Sequence, residues 1–356
     1  MISSMLDNPQ HIANIDKSHL LETITHFPEQ IQKSIEIVQA SPIDPILKID
    51  NILVTGMGAS AISGDIVASL FRDKIDVPIF VNRQYTLPKW AKKDTLTFFL
   101  SYSGNTEETI HSFKIAHQKK CKIICISSGG KLEEFAQNRG VTHIKIPSGY
   151  QPRAATAFLL FPLILLLKKM GLLKNAIETE IEETIALTKE LSNKYKSSIP
   201  ESENFAKQTA QQIFGTIPQI YGWGIYAPIA TRWRQQFNEN SKIIAREDVV
   251  SECNHNDIVG WSANPEKSKD FSCFLFRDKE NESLYYSTRL DFMKNLLVDT
   301  VAHVLEIQPH GKSKLAKITS LMYLGDFVSC YLAILRKIDP SPVDIITELK
   351  KRLAQI

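Results

Sequence analysis

Five short apolar runs punctuate the first half of the chain: NILVT (51–55), PIFV (78–81), TLTFFL (95–100), CKIICI (121–126) and THIKI (142–146). Each is too short for a helix and rich in β-branched or aromatic residues, which predicts strands. Between them apolar positions recur at helical spacing, as in AISGDIVASLFRD and NTEETIHSFKIAHQ. Strand–helix alternation with short connections predicts an α/β fold with a parallel, doubly wound sheet. Such sheets bind ligands at the carboxyl ends of their strands, near the point where strand order reverses.

Further along, FLLFPLILLL (158–167) is ten apolar residues interrupted by Pro162. That is too short to span a bilayer and reads as a buried helix. From Asn175 the pattern becomes charged and helical (NAIETEIEETIALTKELSNKYK), and SSIPESE, with Pro200, reads as a linker. A second alternating region follows, with strands expected at PQIYGW (218–223), FSCFLFR (271–277) and HVLEI (303–307). The stretch from Leu315 to Lys337 reads as a core helix. Two similar-sized α/β units joined by a helix fit 356 residues, with no repeat visible by letter.

Composition narrows the function classes. The net charge is +3, from 42 basic and 39 acidic residues without a long basic block, so nothing argues for nucleic acid or an anionic membrane surface. The N-terminal MISSMLDNPQHIANIDK lacks the apolar core of a signal peptide. Five cysteines, an odd number without metal-like pairing, point to a reducing, cytoplasmic protein with buried thiols. No metal cluster is legible, and neither a metal nor another cofactor is expected.

Candidate chemistry sits mainly at strand ends. TGMGASAISGD (55–65) follows the first strand, and its glycines allow a tight turn opening onto a helix N-terminus, a site for anions. Gly56, Gly58 and Ala61 imitate a dinucleotide fingerprint, but the second strand ends FVNRQ, without the carboxylate that would hold a ribose. SYSGNTEET (101–109) follows the third strand and clusters Ser101, Ser103 and Thr106 around Gly104. Thr106 before two glutamates is also ordinary helix-capping chemistry. Together with Ser60, however, these hydroxyls line two neighbouring strand ends and suit a phosphate monoester.

Arg153, in SGYQPRAATAF, either solvates a helix start or sits over the ligand as a fixed charge. Glu239 in RWRQQFNENSKIIA and His255 in SECNHNDIVGW supply a carboxylate and an imidazole, the usual pair for moving protons on a sugar.

Taken together, GMGASAISGD, SYSGNTEET, QPRAA, FNENSK, NHNDIVGW and SLMYLGDFVSCYLA resemble the bifunctional phosphoglucose/phosphomannose isomerases of the sugar isomerase (SIS-domain) superfamily. The likeness runs from about Asn51 to the C-terminus. It implies two SIS domains, each a five-stranded parallel sheet flanked by helices in a flavodoxin-like three-layer arrangement. Residues 1–40 would then be an N-terminal helical segment, 41–174 the first SIS domain, 175–203 a helical linker and 204–356 the second SIS domain. It further implies a homodimer with active sites near domain and subunit boundaries, acting on a phosphorylated hexose.

Carried over by motif, Gly58, Ala59, Ser60, Ser101, Ser103 and Thr106 would hold the phosphate. Arg153 would stabilise an enediolate and Glu239 would be the base. His255 would open the sugar ring, with the partner subunit's site favoured over its own. A C-terminal lysine would assist; Lys350 matches best, with Lys351 or Lys312 as alternatives. Ala59 departs from the glycine the family often has there. The expected reaction is interconversion of glucose 6-phosphate, and mannose 6-phosphate, with fructose 6-phosphate. Alternatives are a non-catalytic phosphosugar sensor, which would not need Glu239 and His255, or an amino-sugar phosphate isomerase.

Overall fold

The computed structural model describes residues 5–43, 45, 48–174, 176–353 and 355; Asn175, where the charged helical pattern was expected to start, and the first four residues lie outside this set. Three helices, α1 (Pro9–Ile15), α2 (Leu20–Thr25) and α3 (Phe27–Ala40), precede the first sheet. That sheet comprises β1 (Asn51–Thr55), β2 (Ile79–Asn82), β3 (Thr95–Leu100), β4 (Lys122–Ser127) and β5 (Thr142–Lys145), all parallel, in the order β2-β1-β3-β4-β5. Every residue of the central β3 is buried, as expected of a parallel strand covered on both faces. Helices α4 (Ala59–Leu70), α5 (Glu107–Gln118) and α6 (Gly130–Asn138) make the crossovers. Helix α7 (Ala157–Lys169) is the expected apolar helix; it tolerates Pro162 and packs against α3 and α4.

Helices α8 (Ile177–Tyr195) and α9 (Phe205–Gln212) lead into the second unit. Its strands β6 (Ile217–Trp223), β7 (Arg246–Val250), β8 (Phe271–Phe276) and β9 (His303–Ile307) are parallel in the order β7-β6-β8-β9. Among the described residues this sheet therefore has four strands where five were expected. Strand β7, REDVV, escaped the sequence reading because it is an edge strand: only Val250 is fully buried, and the other positions stay polar or exposed.

The connecting helices are α10 (Ala227–Glu239), α11 (Asp257–Ala263), α12 (Pro265–Ser268) and α13 (Leu284–Val298). The long α14 (Lys314–Leu335) follows, and α15 (Asp344–Leu353) ends the chain. Helix α14 is long and apolar enough to cross a membrane, but its whole apolar window is buried inside the fold. A helix apolar on all sides is a core helix when its neighbours cover it. Here α8, α9 and α10 do so, and α14 thereby fixes the position of α10, which carries Glu239. All five cysteines are free and buried.

Candidate active site

In the first sheet β1 and β3 are neighbours although β2 lies between them in sequence, so strand order reverses there. Both hydroxyl-bearing loops open at this reversal. Gly58, at φ 51°, precedes α4, whose first residues are Ala59 and the buried Ser60. Ser101 to Thr106 precede α5. Neither helix is capped by a side chain; at α4 the Ser60 and Ala61 N–H groups donate to the Met57 carbonyl at 3.0 and 3.4 Å, and a helix N-terminus without a side-chain cap is a place where anions bind. Thr106 does not perform the capping that its sequence context allowed. Its hydroxyl instead meets the buried Ser101 hydroxyl at 2.9 Å, while Ser103 is exposed. The loop is shaped by Gly104, at φ 69°, which packs directly on the Gly129 carbonyl.

Tyr102 connects this loop to the next candidate residue. Its hydroxyl donates to the Pro147 carbonyl at 3.0 Å and accepts from the Tyr150 N–H at 2.9 Å. The segment it holds runs straight into Gln151-Pro152-Arg153. Arg153 is not a solvated helix start; it is 4% exposed. Its Nε donates to Asn240 Oδ1 at 2.6 Å, and its Nη2 donates to the Pro340 and Ser341 carbonyls, both at 2.7 Å. The remaining Nη1 lies 3.6 Å from Glu239 Oε2, and the Glu239 side chain is 31% exposed. The pair thus joins a first-unit turn to the last residue of α10, with the carboxylate still open to a ligand.

The floor beneath this pair is a buried polar network. Arg232 donates to the Arg153 carbonyl at 2.5 Å and to Asp326 of α14 at 3.1 Å; Gln236 donates to the same carboxylate at 2.7 Å. Asn240 donates to Ser329 at 2.9 Å. Burial pushes the Asp326 carboxyl above its ordinary value, opposed by Arg232 and Gln236. These residues escaped the sequence reading. Asn240 and Lys242 lay inside the quoted FNENSK, but their partners are about ninety residues away in sequence.

His255 stands apart from Glu239 within one chain. Helix α10 leaves the carboxyl end of β6 and returns, so Glu239 lies at the amino edge of the second sheet. Strand β7 then crosses again, and His255, exposed just beyond it, lies at the carboxyl edge. Thirteen helical residues put those edges about 20 Å apart. The His255 motif is anchored by its neighbours: Asp257 and Trp261 both engage the Tyr221 hydroxyl of β6. Lys350 is exposed on α15, beside exposed Ile345 and Leu349, and Lys351 and Lys312 are exposed as well.

The second sheet's own reversal, between β6 and β8, is occupied by the protein itself. Asp278 accepts from Tyr226 at 2.6 Å and from Lys317 at 2.8 Å, with all three side chains buried. An internal carboxylate fills the position where the first unit presents open helix ends.

Comparison with known proteins completes the assignment. Residues 46–158 match the SIS domain family, and residues 202–353 match the bacterial phospho-glucose isomerase C-terminal SIS domain family. A bifunctional phosphoglucose/phosphomannose isomerase from Caldicellulosiruptor bescii is 41% identical over 339 residues, 95% of this chain and 99% of that protein. Its Aquifex aeolicus counterpart is 36% identical over 85% of this chain and 90% of that protein. A glucose-6-phosphate isomerase like protein from Thermus thermophilus shares the fold, with a TM-score of 0.65 at 16% identity, covering 96% of this chain and 99% of that one. With two SIS-type units in order and relatives matched nearly end to end, the chain belongs to the bifunctional phosphoglucose/phosphomannose isomerase family.

Proposed function

We propose that this chain interconverts glucose 6-phosphate and mannose 6-phosphate with fructose 6-phosphate by proton transfer between C1 and C2. The observation that carries the reading is the Arg153–Glu239 pair: a buried guanidinium with one free edge, facing a half-open carboxylate at 3.6 Å. Glu239 takes the proton from the carbon beside the carbonyl and returns it one carbon away. The Nη1 edge of Arg153 stabilises the enediolate, and its other donors are already satisfied by protein, so it is aimed in advance. Gly58, Ala59, Ser60, Ser101, Ser103 and Thr106 hold the phosphate, fixing the sugar in register far from the reacting carbons. Return of the proton to either face of C2 yields both aldoses.

In this reading the working unit is a homodimer. The separation of His255 from Glu239 within one chain supports a site in which the partner's imidazole opens the sugar ring. Lys350 assists from α15, whose root follows the Ser341 carbonyl held by Arg153. The two SIS domains are taken as 41–174 and 204–356, with 1–40 and 175–203 as helical additions. Five free, buried thiols fit a reducing, cytoplasmic setting.

The test is purified chain with fructose 6-phosphate, following both aldose phosphates separately. Wild type forms both. Glu239→Gln lowers kcat by about 10²–10⁴-fold, the contribution of a positioned base, while phosphosugar affinity stays near wild type. Retention of most activity by that variant removes Glu239 from the role of base.

A further inference from the structure

Immediately after α10 the chain turns through Lys242 in a left-handed conformation, φ 52°. A non-glycine residue is strained there, a conformation that persists only where surrounding contacts hold it. The contacts are specific. Lys242 Nζ donates to the Glu239 carbonyl at 2.6 Å and to the Pro340 carbonyl at 2.9 Å. That Pro340 oxygen is the one that also accepts from Arg153 Nη2. One half-buried ammonium therefore spans the helix end bearing Glu239 and the loop that grips Arg153.

We infer that Lys242 is a positioning residue for the proton transfer: its ammonium locks the Glu239 turn and the Pro340 carbonyl in register with Arg153 and adds a second fixed positive charge behind the base. The inference rests on the isomerase reading of the site and adds a residue to it. A positive charge also belongs at this place, because α10 ends here with its carbonyls pointing outward.

The charged and titratable groups facing the ammonium come from four elements. They are Arg153 from the turn before α7, Glu239 from α10, Cys330 from α14 and Asp339 from the loop beyond it. Burial, then the Arg153 charge, lower the amine to about 8, against the opposing pull of Asp339, Cys330 and Glu239. A lysine with a depressed value carries its charge below about pH 8 and loses it above. The positioning charge is therefore present at neutral pH and fades as pH rises.

The experiment compares Lys242→Met and Lys242→Arg with wild type, measuring kcat and KM from neutral to alkaline pH. The Met variant is expected to lose about tenfold or more in kcat with KM changed by no more than about threefold, and to lose the fall in kcat through pH about 8. Lys242→Arg is expected to recover much of kcat and move the alkaline fall upward. A Met variant with wild-type kcat overturns the inference, as does an Arg variant whose alkaline fall has not moved; the latter decides the matter if the Met variant does not fold. Wild type inactive on fructose 6-phosphate overturns the isomerase reading instead. In that case the lysine Cε resonances of the whole chain decide: one titrating near 8 and absent from Lys242→Met upholds the placement, and ordinary titration of that resonance overturns it.

Discussion

Gly104 is the residue on which the loop proposed to hold phosphate depends most directly. Its φ of 69° is left-handed, and a Cβ there would lie 1.7 Å from the Gly129 carbonyl oxygen. Gly58 has a similar φ of 51°, but open space where its Cβ would go. Gly58, with ψ −124°, lies outside the left-handed helical region, so Gly58→Ala should cost only backbone strain, about 1–3 kcal/mol. Gly104→Ala should cost clearly more, because the loop between β4 and α6 must move as well. Urea unfolding of both variants checks this; equal losses would mean that the Gly129 contact relaxes freely. The hydroxyls around Gly104 were legible in the sequence because they cluster within six residues. Tyr102, in the same stretch, was not, because its work depends on Pro147 and Tyr150, more than forty residues on. Arg153 was visible as a candidate, but its sequence neighbours could not tell a solvated cap from a buried charge. Only the carbonyls of Pro340 and Ser341 decide that.

At the scale of elements, the apolar runs predicted strands and core helices well because parallel strands covered on both faces must be apolar throughout. The same rule hid β7, whose charged edge positions carry no such signal. Helix α14 was legible as core, but the close approach of α10 to it was not. Gly325 permits that approach: a Cβ there would lie 2.3 Å from Trp233 Nε1, which donates to the Leu321 carbonyl at 2.8 Å. In an exposed helix Gly→Ala stabilises by about 1 kcal/mol. Here overpacking, about 1–3 kcal/mol, and a strained buried hydrogen bond oppose that gain. Gly325→Ala should lower the urea midpoint and also lower kcat, since α10 ends in Glu239 and moves as a rod. A raised midpoint with unchanged kcat would show that Trp233 repacks without displacing α10.

For the whole molecule, the two units share an architecture but differ at their strand-order reversals. The first keeps its strand-order reversal open between two uncapped helix ends, while the second fills its reversal with Asp278, Lys317 and Tyr226. The proposed site draws instead on both edges of the second unit's sheet, with Glu239 at one and His255 at the other. The sequence resemblance pairs these two, but spacing along a chain cannot reveal that strand β7 carries them to opposite edges of the sheet.

If one site uses both residues, the proposed dimer must supply them from different chains. Glu239→Gln and His255→Ala proteins, each nearly inactive alone, should then complement when unfolded together and refolded as a mixture. In a two-fold dimer that draws His255 from the partner, each mixed dimer holds one site with both groups intact. Random reassortment should thus restore about a quarter of wild-type activity. A site that draws both residues from one chain leaves every site in the mixture defective, and no activity returns. Recovery on mixing therefore distinguishes a shared site from one rebuilt by movement within a single chain, and the size of the recovery reports how completely the two proteins exchange partners.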